Sequence, residues 1–225
     1  MTAEPDPGGP FSSSATRLAP IVAILLAIVA QFGMRHRIAV VVPWLAPTFE
    51  LVLVAILLVL HPVDRKRADR LRLVRFLLGG TLAVSATASS ALLIADLIQG
   101  DPNLTLGRLL TDTVEVLFVS AVGFAVIYWQ LDRGGPDGRQ HRRPEGLAFW
   151  FTQDGIREYS DEFDVWQPRF LDYMYVATTN QVAFSPTDTM PLTRTAKMLM
   201  VWQSVVAIAT LGIVLANAIN IFPNP

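Results

Sequence analysis

Two groups of polar residues lie inside or beside long apolar runs, where side chains of this kind are costly unless something holds them. The first is a loop: Thr178, Thr179, Asn180 and Gln181 close a short apolar segment, and Ser185, Thr187 and Asp188 follow within seven residues. Hydroxyls, amides and one carboxylate in that order could line a polar path for an ion or a small solute. The second is a set of acids, Glu50, Asp96, Asp112 and Glu115, each placed inside an apolar stretch. Ionisable groups within membrane spans are rare and often mark an ion or proton path. Asp112 and Glu115 are three residues apart and so share a helix face.

Each group also has a plainer reading. Ser, Thr and Asp ahead of an apolar run are good helix N-caps, and a proline such as Pro191 suits the first turn. The acids could sit at headgroup level and pair with Arg35, Arg37 and Arg108 on the same side. Both readings stay open at this point. Other chemistry is not in sight. There is no cysteine, and His36, His61 and His141 are scattered, so no metal or cofactor is expected. No G-x-S-x-G elbow, phosphate-binding glycine loop or His-Glu-x-x-His run occurs, and the chain is not expected to be an enzyme. A net charge of −1 with no basic, aromatic-rich segment gives no reason to expect nucleic acid.

The elements that must position these residues are membrane helices. The 225 residues are 52% hydrophobic and only 16% charged, against about 25% charged in ordinary soluble domains. The missing charge is concentrated between long apolar stretches, as expected when lipid is the solvent for part of the chain. Residues 1–17, rich in Pro, Gly and Ser, predict a disordered tail. Residues 18–130 predict four transmembrane helices: Leu18 to Gly33, Ile38 to Leu60, Phe76 to Ile98 and Leu109 to Trp129. The basic run from Asp64 to Arg72 reads as the connector before the third. That third stretch carries Gly79, Gly80, Ala83, Ser85, Ala86, Ser89 and Ser90, small residues that let helices approach closely in lipid.

Residues 131–169 read as a cytoplasmic loop, with a basic start at Asp132-Arg133-Gly134-Gly135-Pro136 suited to anionic lipid. Residues 170–225 read as a short helix (Phe170 to Phe184), a polar loop and a last span. That short helix either lies in the interface or re-enters the membrane. The expected fold is thus all-α, a membrane helical bundle of about five spans with one short interfacial or re-entrant helix. Orientation follows from Lys and Arg. With the N-terminus in the cytoplasm, only Arg35, Arg37 and Arg108 of the 18 basic residues fall outside, as the positive-inside rule prefers. The expected location is the plasma membrane, multi-pass. The lipid bilayer is the first partner, a homo-oligomer is expected, and the cytoplasmic loop could meet a cytoplasmic protein.

Three segments carry a resemblance. They are Phe124 to Pro136 (containing Tyr128-Trp129-Gln130-Leu131-Asp132-Arg133-Gly134-Gly135-Pro136), Trp166 to Tyr175, and Ala183-Phe184-Ser185-Pro186-Thr187-Asp188-Thr189-Met190-Pro191-Leu192-Thr193. Through them, and through Pro47 and Glu50 in the second apolar stretch, the chain resembles a family of uncharacterised actinobacterial integral membrane proteins. The resemblance implies a shared architecture and brings no activity with it. Phe149 to Asp164 departs from the family in being more acidic. A weaker likeness joins Phe170 to Thr193 to the pore loop of two-helix cation channels, where a short helix, a filter and an Asp-x-x-Pro-x-Thr run lead into the inner helix. Asp188-Thr189-Met190-Pro191-Leu192-Thr193 matches that run. Ala183 to Asp188 does not match a potassium filter, because the glycines that aim carbonyls at the ion are missing. The leading functional expectation is passive ion or small-solute conduction through this region. The alternative is a non-conducting scaffold acting through its cytoplasmic loop.

Overall fold

The computed structural model describes residues 13–33, 45–59, 65–100, 105–140, 146–156, 166–183 and 188–221. The framework is all-α, as expected. Three helices are long and apolar enough to cross a membrane, within Arg70–Gln99, Leu106–Gly134 and Arg194–Asn217. By length and composition these are the helices of a membrane protein. Leu18–Gly33 and Leu45–Val59 are shorter apolar helices.

Helix α4 (Leu106–Leu131) is the axis of the bundle. Thr105 caps its start by accepting the Arg108 N–H. From Val119 to Tyr128 every residue is buried, because neighbours cover it on all sides: α3 (Arg65–Gln99), α1 (Ser13–Gly33), α8 (Arg194–Ile221) and α7 (Phe170–Val182). A helix buried all round must be apolar all round, and this stretch is nearly so. Helix α2 (Leu45–Val59) packs on α3 and α1. Pro47 is its third residue and buried, a position whose N–H has no helical partner anyway.

The closest approach is between α3 and α4, and glycine makes it possible. A Cβ on Gly123 would lie 2.8 Å from the Ala83 backbone nitrogen. One on Gly79 would lie 3.0 Å from the Gly123 carbonyl oxygen. Of the small residues singled out in the third stretch, Gly79 and Ala83 therefore face α4, while a Cβ on Gly80 would meet nothing within 4 Å. Further along, the hydroxyls of Ser90 on α3 and Thr210 on α8 are hydrogen-bonded and buried.

Two boundaries differ from the sequence reading. The basic run from Arg65 to Arg72 belongs to α3 and is not a separate connector, since Lys, Arg, Ala and Leu are all good helix formers. Ser13 to Arg17, expected in the tail, form the first turn of α1. The rest of the tail, residues 1–12, lies outside the described residues, as does 38–44 of the second stretch.

The segment expected as a loop after α4 contains structure of its own. Asp132–Gly134 is a 3-10 turn, α5 covers Gly135–Gln140, and β1 (Phe149–Phe151) runs into the single-turn helix α6 (Thr152–Gly155). Strand β1 pairs antiparallel with β2 (Thr189–Pro191), with Trp150 opposite Met190. The Leu192 N–H donates to the Ala148 carbonyl and extends the pairing by one bond. This small sheet sits at the end of the bundle where α4 finishes.

Candidate functional site

In the first turn of helix α7, the Asp172 carboxylate accepts the Arg169 N–H three residues back and so ties that turn down. The Phe170 ring packs edge-on against Trp129, near the end of α4. The Tyr173 hydroxyl donates to Asp132. At the other end of α7 the Gln181 side-chain amide donates to the Leu117 carbonyl at 3.1 Å. Trp129 and Leu117 are separated by about 18 Å along α4. Helix α7 therefore runs antiparallel to α4 and stops about halfway along it. The chain must then return, because β2 lies back beside β1 at the Asp132 end.

Two side chains of the predicted polar run hold this half-length helix in place. Asn180 is buried and donates to both the Met200 carbonyl and the Gln203 Oε1. Gln203 is fully buried, accepts from the Tyr128 hydroxyl at 2.8 Å, and donates to the Ala177 carbonyl. The Ser204 hydroxyl reaches the Asn180 carbonyl. One amide on α8 thereby joins three helices. Replacing Gln203 with leucine strands the Tyr128 hydroxyl and half of the Asn180 amide, at about 2 kcal/mol. The expected result is faster hydrogen–deuterium exchange across α7 than across α3; unchanged exchange would show that this network does not hold the helix.

The remaining residues of the predicted loop separate. Thr178 is exposed, and Thr179 turns its hydroxyl back to the Tyr175 carbonyl. Ser185 and Thr187 lie outside the described residues. Asp188 is half-buried, and its Oδ1 is enclosed with no hydrogen-bond partner. It does not cap the last helix. That cap is Thr193, whose hydroxyl accepts the Ala196 N–H, and Pro191 belongs to β2 ahead of it. The helix-cap reading therefore fails for Asp188 and passes to a residue five positions on.

The four predicted acids are spread over three helices. Glu50 is fully buried and accepts from the Gln31 amide, whose oxygen accepts from the Ser85 hydroxyl. Asp112 lies 3.9 Å from Arg108, one turn back on α4. Glu115, half-buried, packs its carboxylate against Gly33 of α1. Asp96 is half-buried near the far end of α3. Among the described residues, no group of three or more His, Cys, Asp or Glu could hold a metal ion.

A third cluster forms around Asp132, in the run expected to suit anionic lipid. Asp132 is fully buried at the end of α4. Its Oδ1 accepts the backbone N–H groups of Ala148 and Phe149, and its Oδ2 accepts from Tyr173 and from Arg133 Nε. Arg133 also holds Asp154, which accepts the Phe151 N–H. The backbone turns sharply here: Arg133, Gly134 and Gly135 all have positive φ (54°, 71° and 75°), and two glycines keep that run affordable. Around the carboxylate, Phe149, Phe151, Tyr173 and Trp166 pack as a ring cluster. Asp132 and Arg133, at the start of the segment read as basic and lipid-facing, thus form a buried polar joint. A lone Asp straight after an apolar helix was the available signal, but its partners come from 16 and 41 residues away.

No family model, curated protein or solved structure matches the chain. Its function has to be argued from this geometry alone.

Proposed function

We propose that this chain conducts ions or small solutes passively across the plasma membrane as a homo-oligomer. In this reading it has five spans (α1, α2, α3, α4 and α8), with the N-terminus in the cytoplasm and α7 re-entering from the cytoplasmic side. The observation that carries the proposal is the half-length course of α7, which stops beside Leu117 while its chain returns to the sheet. A helix ending at mid-depth points its last free carbonyls, and roughly half a negative charge, into the membrane interior. Half-helices of this kind serve cation sites in transport proteins.

A helix end at that depth needs protein or water around it. One copy supplies a wall of α4, α8 and part of α1. The opposite face of α7, through Leu171, Tyr175, Thr178 and Val182, is exposed, and a second copy would cover it. The path would run past Thr178 to Asp188, with the acids Asp96, Asp112 and Glu115 at the outer end of the bundle.

The test is flux of potassium, sodium and protons through purified protein in liposomes, with Asp188→Asn alongside. The expected result is flux above empty liposomes that the variant changes by several-fold, with normal expression. Since Asp188 caps no helix, a change in flux would not be traceable to a frayed α8. Absence of flux from folded protein would favour the second reading, a scaffold. That reading is supported by the ordered joint at Asp132, which presents half-buried Trp150 and Trp166 at the cytoplasmic end.

A further inference from the structure

Glu50 is the one acid of the four with no exposed surface at all. It projects from α2 into the seam with α1 and α3. Its Oε2 accepts the Gln31 Nε2–H, and the Gln31 Oε1 in turn accepts the Ser85 hydroxyl at 2.7 Å. In this structure Ser85 donates to Gln31, and Gln31 donates to Glu50. Nothing donates to the other carboxylate oxygen. Oε1 is enclosed and has no hydrogen-bond partner.

Among the described residues, the surroundings offer no compensating charge. From α1 comes Gln31; from α3 come Ser85 and, one turn on, Ser89, whose hydroxyl is also buried without a partner. The apolar residues Ile28, Leu53, Val54 and Leu82 belong to the same core. On the other side of α1, α4 brings Glu115 against Gly33, a second acid and not a counter-ion. Among the described residues, no Lys or Arg is ion-paired with Glu50. An isolated carboxylate in such a place costs several kcal/mol, and a group so placed escapes the cost by binding a cation.

We propose that Glu50, with Gln31 and Ser85, forms a proton-binding site in the membrane interior, with the proton on the unpartnered Oε1. A proton fits where a larger cation does not: one oxygen is free, while Gln31 Oε1 and Glu50 Oε2 are already engaged by N–H and O–H donors. The site is separate from the α7 loop and does not depend on the conduction reading. It would bind and release its proton across the α1–α2–α3 seam.

Apolar carbodiimides report this chemistry. The carboxylic proton passes to a carbodiimide nitrogen, the carboxylate oxygen bonds to the central carbon, and the adduct rearranges from O to N as a stable acylurea. Nothing leaves, so the mass rises by one whole reagent. The full-length protein in lipid vesicles is treated with dicyclohexylcarbodiimide or with a water-soluble carbodiimide, and the adducts are mapped by peptide mass. The expected result is modification of Glu50 roughly ten-fold faster by the apolar reagent, as for a protonated carboxyl enclosed in apolar surroundings. The infrared carbonyl band of a protonated carboxyl should also be present, and absent in Glu50→Gln, which keeps an acceptor oxygen for Gln31. Adducts that spare Glu50, or equal rates with the two reagents, would overturn the proposal. So would a carboxyl band that persists unchanged in Glu50→Gln. If that variant does not fold, the mapping on the unaltered chain decides by itself.

Discussion

Asp132→Ala is expected to lower stability by about 3–5 kcal/mol, the usual result of emptying one side of a buried charged network. The carboxylate accepts two backbone N–H groups, a tyrosine hydroxyl and a guanidinium N–H. Alanine leaves all four donors enclosed with nothing to receive them, and each stranded buried donor costs about 1–3 kcal/mol before relaxation. Water can reach some of them once the joint loosens, so the costs do not simply add. The drop should be visible as a fall of roughly 10 °C in the thermal midpoint of the detergent-purified protein.

Asn in place of Asp132 separates geometry from charge. Its oxygen can still serve Ala148 and Phe149, but its NH2 meets the Tyr173 hydroxyl and Arg133 as one donor facing others. An intermediate loss is expected. A midpoint within error of wild type for Asp132→Ala would mean that the carboxylate does not hold the joint.

The second large effect concerns the helix contact that all other packing leans on. At Gly123 an added Cβ would come within 2.8 Å of the Ala83 nitrogen and 3.1 Å of the Leu82 carbonyl carbon. These are backbone atoms, which cannot rotate aside as a side-chain tip can. Gly123→Val therefore has to push α3 and α4 apart along the most buried stretch of the bundle, at about 3 kcal/mol.

Gly80 supplies the control, since a Cβ there meets nothing within 4 Å. Gly80→Ala should be neutral or gain up to about 1 kcal/mol from helix propensity. Thermal midpoints of the two variants decide it. If both behave alike, the close approach is not what makes Gly123 matter.

Much of this was legible in the chain before any folding. Apolar runs separated by charge announce membrane helices because lipid cannot solvate a charge or a free peptide group. The small residues of the third stretch announced close packing, and Gly79 and Ala83 meet α4 as that reading requires. A short helix from Phe170 was also visible. Its length and composition fit lying on the membrane as well as entering it, so the sequence left both courses open.

Tertiary structure decided which polar groups pair, because the deciding contacts are remote in sequence. The course of α7 is set by Gln181 reaching Leu117, 64 residues away, and by Asn180 meeting Gln203. Asp132 looked like the start of a solvated loop because Ala148, Phe149 and Tyr173, which its carboxylate binds, lie 16, 17 and 41 residues away. Its role appears only when the strand at Ala148 and the helix at Tyr173 fold onto it. Glu50 read as one of several outer acids, and burial against Gln31 and Ser85 sets it apart. Local sequence determines which segments can live in lipid, since that is a sum over single residues. Which polar groups find each other inside is a property of pairs, and only the packed bundle brings the pairs together.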